Sequence, residues 1–234
     1  FVEENALSDA VKEMAAECGI TIRPYEDVYA YAATIPEHST VLLDKRKVNY
    51  RITNALSETV HIVSKANPSQ LMKAIKNEIE LENTRKAHLL DGIAVTKFMY
   101  WLKKNVGKIP MDEVSVSDYL QSLREQMEGY RDISFDTIAG YNANAAMMHY
   151  KAEPDTAAKL EPQGMLLVDS GGHYDTGTTD ITRTIALGEV TDEMKKCYTL
   201  TLKGMLNLAN TRFLHGCTGY LSLIHISEPT RPIS

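Results

Sequence analysis

Cysteine is scarce in this sequence, and its basic residues do not cluster. Three cysteines occur in 234 residues, with no CxxC pair, so neither a disulfide framework nor a structural zinc site is predicted. The formal net charge is −6, which is atypical of proteins that bind a phosphate backbone through dense Lys and Arg. We therefore expect no nucleic-acid partner and a reducing, cytoplasmic compartment.

Long apolar runs are also missing. No stretch approaches the ~20 apolar residues that a membrane-spanning helix needs, so we expect no membrane partner. The chain starts Phe1-Val2-Glu3-Glu4, without Met or a signal-like region, and this internal-looking start leaves an upstream signal peptide open. The composition, 44% hydrophobic and 24% charged, is ordinary for a globular protein.

The first 66 residues alternate between helical and strand patterns. Ser8 is placed to cap a first helix. Two apolar runs, residues 40–44 and 59–63, indicate short strands, and the segment 45–56 between them indicates a helix. This β-α-β alternation predicts a small α/β unit with a parallel sheet.

A long amphipathic helix is predicted over residues 76–105. Its apolar stripe follows a three-to-four spacing through Leu90, Ile93, Phe98, Trp101 and Leu102. Ser115 with Asp118 resembles a capping box that opens a second helix. Strands and glycine-rich turns follow over residues 133–188, and Thr191 starts a last helix. The whole is a mixed α/β, or α+β, chain.

The most informative stretch carries two aspartates. An apolar strand runs into Asp169, glycines follow, and β-branched residues resume just before Asp180, which predicts a hairpin. With the turn centred between Tyr174 and Asp175, Asp169 lies opposite Asp180, on one face and with Cβ atoms about 5 Å apart. Such carboxylates repel unless one is protonated or a cation lies between them, and oxygen ligands favour hard divalent ions. A local hydrogen-bonding role in the turn is the competing interpretation.

The sequence DSGGHYDTGTTDITRT, residues 169–184, resembles the signature of the aminopeptidase P family of pita-bread metallopeptidases. The resemblance continues upstream over residues 78–102 and 134–150. Residues 1–66 are similar to the end of the non-catalytic α/β domain of that family. The resemblance therefore implies a partial pita-bread catalytic domain over residues 77–220, preceded by the end of a small creatinase-like domain.

The resemblance implies roles for three residues. Asp169 is implied to chelate one metal ion, Asp180 to bridge two, and His149 to contact the substrate near the scissile bond and steady the developing oxyanion. The implied cofactors are two divalent metal ions, with Mn²⁺ preferred. The implied activity releases the N-terminal residue from a peptide with proline in the second position, and the family is compatible with a homodimer of the full-length protein.

Two other functions stay open. A prolidase-type dipeptidase would share both aspartates, whereas a catalytically dead pita-bread domain would serve binding. The remaining ligands of the family, one histidine and two glutamates, have no counterpart here, so the chain itself is predicted to be inactive. Residues 221–234, LSLIHISEPTRPIS, lack periodicity and resemble the translation of a common sequencing adapter, which predicts a non-native tail.

Overall fold

The computed structural model describes residues 1–213, and the chain divides into two compact units, with the division between Asn77 and Glu78. The helices are α1 Asp9–Glu17, α2 Asp27–Ala33, α3 Tyr50–Ala55, α4 Pro68–Ala74, α5 Glu78–Asn105, α6 Glu113–Glu125 and α7 Asp192–Asn210. The strands are β1 Thr40–Leu43, β2 His61–Ser64, β3 Tyr130–Ile133, β4 Ile138–Tyr141, β5 Met165–Ser170, β6 Gly172–Tyr174, β7 Gly177–Thr178 and β8 Ile181–Ala186. This mixture of helices and sheets confirms the predicted fold class. The predicted tail, residues 221–234, lies outside the described residues.

The first unit is built around a two-stranded sheet. Strands β1 and β2 pair in parallel, with Thr40 opposite His61, which confirms the predicted β-α-β arrangement. Ser8 caps α1 as expected, because its hydroxyl accepts a hydrogen bond from the Val11 N–H at 3.4 Å. The buried apolar core is small and consists of Ala32, Leu56 and Val60.

Two short helices of the first unit were not predicted. One is α2, and the other is α4, which begins at the Asn67–Pro68 pair. The Asn67 side chain accepts a hydrogen bond from the Ser69 N–H at 3.0 Å. Proline is tolerated in the first turn of a helix because its missing N–H would have no partner there. Asn67 and Pro68 therefore start a helix.

The second unit contains two three-stranded antiparallel sheets. One has the strand order β4-β5-β8 and the other β3-β6-β7. Helices α5 and α6 pack together and cover one face of the β4-β5-β8 sheet, so helix and strand side chains share one core. Its central members are Ala94, Phe98, Leu102, Val116, Leu120, Leu123, Ala139, Leu166, Val168 and Ile185.

Helices α5 and α6 differ in detail from the prediction. The buried stripe of α5 runs through Ala87, Asp91, Ala94, Phe98 and Leu102, and Ile93 is 40% exposed. The buried stripe is therefore rotated around the helix axis relative to the predicted one. It includes Asp91, a buried charge whose partner lies on α6. Helix α6 starts earlier than predicted: Asp112 is its N-cap, and Ser115 closes the capping box at the third position.

The β4-β5-β8 sheet has one covered and one open face. Alternate residues of β5 are buried beneath the helices, namely Leu166, Val168 and Ser170. The others are half-buried on what we call the open face, namely Met165, Leu167 and Asp169. Beside α7 this face forms an apolar groove of about 590 Å³ whose lining includes Met165, Leu167 and Tyr198 but no aspartate. Within residues 1–213, no helix combines the length and the hydrophobicity needed to cross a bilayer.

Candidate metal centre

Asp169 lies near the end of β5 and pairs with Thr182 of β8, not with Asp180. The predicted register is therefore wrong. Strands β6 and β7 pair Tyr174 with Gly177, so the turn is centred between Asp175 and Thr176 and not, as predicted, between Tyr174 and Asp175. The turn centre moves by one residue, and the partner of Asp169 consequently moves by two.

The two-residue shift preserves the strand alternation on which the prediction for Asp180 rests. Asp180 immediately precedes β8 and stands two residues before Thr182, and a two-residue step along an extended chain returns a side chain to the same face. We therefore expect Asp180 to lie diagonal to Asp169 on the open face. Diagonal positions of an antiparallel pair lie about 7–8 Å apart, which leaves room for a cation. The convergence of the two carboxylates stays a prediction.

The surroundings of both carboxylates suit a divalent ion. Asp169 is half-buried, and its Oδ1 accepts a hydrogen bond from Thr182 Oγ1 at 2.7 Å. Asp180 is exposed, and in the described part of the chain no Lys or Arg pairs with either aspartate. Neighbouring carboxylates without a cation repel and favour a hard metal ion. Residues 1–213 contain no group of three or more metal-binding side chains.

His149 lies in the loop after a 3-10 helix, Asn142–Ala146, and its side chain is exposed. Its backbone is left-handed, with φ of +58°. That conformation brings the Cβ of an L-residue close to its carbonyl oxygen and costs roughly 1–2 kcal/mol, so the surrounding contacts must hold it. No hydrogen bond or ion pair of the described residues joins His149 to Asp169 or Asp180.

A buried ion pair lies directly behind Asp169. Arg124 of α6 donates to the Asp91 carboxylate of α5 through Nε at 2.6 Å and Nη2 at 3.2 Å. The same Nη2 donates to Ser170 Oγ at 3.1 Å, and both charged side chains are fully buried. The Tyr174 hydroxyl also donates to Asp91, and burial beside this carboxylate raises the pKa of Tyr174. The pair thereby ties both helices to the end of β5.

Sequence reasoning missed this ion pair, although a signal was present. Asp91 stands four residues after Ala87 on the buried stripe of α5, and Arg124 stands four residues after Leu120 on that of α6. A charge at such a position requires a partner in the core. The periodicity indicates that a partner exists but not which residue it is.

Gly171 allows the chain segments that carry the two aspartates to approach closely. A Cβ at Gly171 would overlap the Thr179 carbonyl oxygen and the Ser134 hydroxyl. Ser134 joins both segments, because its N–H donates to the Gly171 carbonyl at 3.1 Å and its hydroxyl donates to the Thr179 carbonyl at 3.0 Å. Gly171 is therefore required, because a side chain at this position would overlap the neighbouring backbone.

Residues 82–220 match the model of metallopeptidase family M24, and residues 1–80 match that of the Creatinase/Prolidase N-terminal domain. The chain belongs to metallopeptidase family M24. The resemblance carried by residues 169–184 is thus confirmed at the level of the family.

Solved structures share the fold of this M24 chain. X-prolyl aminopeptidase from Caenorhabditis elegans, described as a cytosolic enzyme with a di-nuclear active site, is 29% identical with a TM-score of 0.82, covering 94% of this chain and 37% of that one. Prolidase from Pyrococcus furiosus is similar in fold, with 20% identity and a TM-score of 0.63 over 86% of this chain and 58% of that one. The second unit is therefore a partial pita-bread domain.

Fungal relatives of this M24 chain are considerably longer. Proteins named probable Xaa-Pro aminopeptidase P from Neurospora crassa and Sordaria macrospora are each 36% identical over 231 residues. These alignments cover 94% of this chain but 34% and 38% of the relatives. The chain thus spans about a third of the length of the curated relatives it matches.

Proposed function

We propose that the full-length protein is a metal-dependent aminopeptidase that releases the N-terminal residue from peptides with proline in the second position. The observation that carries the proposal is that Asp169, which pairs with Thr182, and Asp180, two residues before Thr182, have no Lys or Arg partner within residues 1–213. The names of the fungal relatives support the substrate class. The cytosolic description of the nematode relative supports a cytoplasmic location, and a homodimer is part of the proposal.

The proposed roles follow the chemistry of each side chain. Asp169 would be a ligand of one metal ion, and Asp180 would bridge two, with Mn²⁺ as the preferred ion. Divalent metals at a carboxylate site activate water and polarise a carbonyl group. Thr182 holds one oxygen of Asp169 by hydrogen bonding, so the carboxylate is oriented before a ligand arrives. The exposed His149 would donate a hydrogen bond to the carbonyl oxygen of the scissile bond and stabilise its developing negative charge.

The proposal also assigns a role to each part of the chain. We assign residues 77–220 to the catalytic domain and residues 1–66 to the non-catalytic domain before it. We expect the 234-residue chain by itself to bind metal weakly and to be inactive. Two aspartates offer too few ligands for two metal ions, and the histidine and two glutamates that the family adds have no counterpart in this sequence.

The test is release of the N-terminal amino acid from an Xaa-Pro-Yaa peptide by the full-length protein. We expect activity with Mn²⁺, loss of activity on chelation, and recovery when the metal is restored. Asp180→Asn should reduce kcat by more than about 100-fold, since even residues outside the ligand shell alter metal sites by 10–100-fold. Asp155→Asn, which changes an exposed acid, is the matched control and should retain full activity.

Other outcomes separate the alternative functions. A full-length protein that is inactive with every divalent metal would contradict the proposal and favour a binding domain. Cleavage confined to dipeptides would identify a prolidase-type enzyme. Release by the isolated chain at a rate near that of the full-length protein would show that the missing-ligand argument is wrong.

A further inference from the structure

A buried glutamate accepts hydrogen bonds from both sides of the loop that carries His149. Glu113 is the first residue of α6 and is fully buried, with 0% relative exposure. Its carboxylate accepts hydrogen bonds from the Tyr141 N–H (2.7 Å), Asn144 Nδ2 (3.0 and 3.1 Å), the Tyr150 hydroxyl (2.7 Å) and the Ala158 N–H (2.8 Å). These donors span the segment 141–158.

The surroundings of Glu113 specify a carboxylate. Burying a charge is unfavourable unless hydrogen bonds replace its hydration, and bonds to an ionised acceptor are about twice as strong as neutral ones. The N-terminal end of α6 adds a favourable dipole. A glutamine here would turn an amide N–H₂ towards groups that are themselves donors, so no neutral substitute satisfies all of them.

Tyr150 transmits this anchoring to His149. Tyr150 directly follows His149 in the chain. Its hydroxyl donates to the carboxylate of Glu113 and to no other acid of the described residues. Asn144 Nδ2 also donates to the Tyr150 oxygen at 3.0 Å. Burial and the contact with Glu113 raise the pKa of Tyr150 to about 12, so the hydroxyl remains a donor at neutral pH.

The other end of the loop is held by independent contacts. Asn142 has a left-handed backbone with φ of +47°, and its Oδ1 accepts a hydrogen bond from the Met165 N–H of β5 at 3.0 Å. A Cβ at Gly140 would lie 2.8 Å from Ala145 Cα, so the 3-10 helix packs directly on β4. His149, with its left-handed backbone, thus lies between two anchored segments of the chain.

We propose that Glu113, acting through Tyr150, is a positioning residue that holds His149 in place for the substrate. The proposal rests on the role of His149 in the proposed aminopeptidase. Neither Glu113 nor Tyr150 needs to touch the substrate. Their contribution is to keep the imidazole on a fixed backbone, so that its hydrogen bond to the developing oxyanion requires no rearrangement during the reaction.

A purely structural role for Glu113 makes a different prediction. If its hydrogen bonds only stabilise the core, their loss lowers the fraction of folded protein and leaves the kcat of the folded enzyme unchanged. If they position His149, their loss lowers kcat while KM changes little, because the affected interaction forms in the transition state. The two roles are therefore distinguishable in folded protein.

The experiment is a double-mutant cycle in the full-length protein, with Xaa-Pro-Yaa hydrolysis measured per folded molecule. Tyr150→Phe should lower kcat about tenfold, since a displacement of 1 Å at a reacting group can reduce rates by up to about 100-fold. In a His149→Ala background, Tyr150→Phe should have no further effect. Tyr100→Phe, at a 67% exposed position of α5, is the control and should leave kcat unchanged.

An equal loss of kcat with and without His149, or no loss at all, would overturn the proposal. Hydrogen exchange of residues 142–150, measured by mass spectrometry, provides a readout that does not depend on activity. Tyr150→Phe should accelerate exchange there, and unchanged exchange would also overturn the proposal. If His149→Ala leaves kcat unchanged, or the full-length protein is inactive, the proposed function is wrong, and the exchange measurement alone decides whether Glu113 anchors the loop.

Glu113→Gln extends the test to the carboxylate itself. We expect it to reproduce the kinetic effect of Tyr150→Phe and to accelerate exchange at both ends of the segment 141–158, because every donor loses its charged acceptor. Where Glu113→Gln does not fold, Tyr150→Phe provides the deciding measurement, since it removes one hydroxyl and keeps the ring.

Discussion

Two pairs of carboxylates in the second unit have opposite surroundings. Asp91 and Glu113 are fully buried, and each accepts several hydrogen bonds. Asp169 is half-buried on the open face of the sheet and Asp180 is exposed, and neither has a cationic partner among residues 1–213. The comparison shows which of these charges the described part of the fold surrounds with donors and which it leaves without a counter-charge. Neighbouring acids without a counter-charge are a local conflict of the kind expected at functional sites.

The two buried acids are satisfied in different ways. Asp91 has a cation, Arg124, together with the Tyr174 hydroxyl. Within the described residues, the donors to Glu113 are neutral groups of the segment 141–158. Asp91 therefore joins helices to sheet, whereas Glu113 joins a helix to a loop. Changes at Asp91 should affect the free energy of unfolding most, and changes at Glu113 should affect the loop first.

The largest expected effect follows from breaking the buried ion pair. Asp91→Asn leaves the Arg124 guanidinium buried without its counter-charge, and such losses destabilise proteins by about 3–5 kcal/mol. The measurement is urea unfolding of the chain followed by the fluorescence of Trp101, its single tryptophan, which stacks on Tyr119 at 3.8 Å between ring centroids.

The control is the exposed pair between Lys151 and Asp136, whose side chains are 63% and 69% exposed. Asp136→Asn should change the free energy of unfolding by no more than about 1 kcal/mol, as is usual for surface pairs. Equal losses for Asp91→Asn and Asp136→Asn would mean that burial does not set the cost of breaking an ion pair in this chain.

A much smaller effect on stability is expected for the open-face acids. Without metal, Asp180→Asn should alter the free energy of unfolding of the chain by less than about 0.5 kcal/mol, since it removes repulsion and breaks no contact. The same change should weaken Mn²⁺ binding, measured by calorimetry. Destabilisation above 1 kcal/mol in metal-free buffer would show that Asp180 serves the fold instead.

The smallest effect concerns an exposed pair near the hairpin turn. Arg131 donates to Asp175 through Nε at 2.6 Å and Nη2 at 2.9 Å, and these bonds lower the pKa of Asp175. Because the folded pKa lies below the unfolded one, the stabilisation is present above the ordinary aspartate pKa of about 3.9 and is lost as pH falls through the folded pKa.

Urea unfolding of the chain and of Asp175→Asn at pH 7 and at pH 3 checks this sign. The small difference in unfolding free energy at pH 7 should shrink at pH 3. A difference that grows on acidification would assign the stabilisation to another group.

The sequence predicted the hairpin of the site correctly and its register wrongly, and the two outcomes have different physical causes. The hairpin between Asp169 and Asp180 follows from glycines and β-branched residues close in sequence, and the structure contains it. Its register failed because β3 and the residue before it hold Asp175 in the turn, through the Asp175 N–H bond to the Gly129 carbonyl at 2.8 Å and the bonds from Arg131 of β3. Turn residues alone do not report a neighbouring strand.

Local chemistry in the sequence determined the element types, several helix starts and the family. Ser8 and Thr191 cap their helices as predicted, because a cap contacts N–H groups only three residues away. The stretch 169–184 identified the family without any knowledge of its contacts.

Only the tertiary structure decided which residues support the proposed site. Asp91 and Arg124 are 33 positions apart, and Glu113 and Tyr150 are 37 apart. The pairing of Asp169 with Thr182 likewise depends on how two strands align. Periodicity reports which face of a helix or strand is buried, but the partner on the other side comes from a distant segment, so packing of the whole unit selects it.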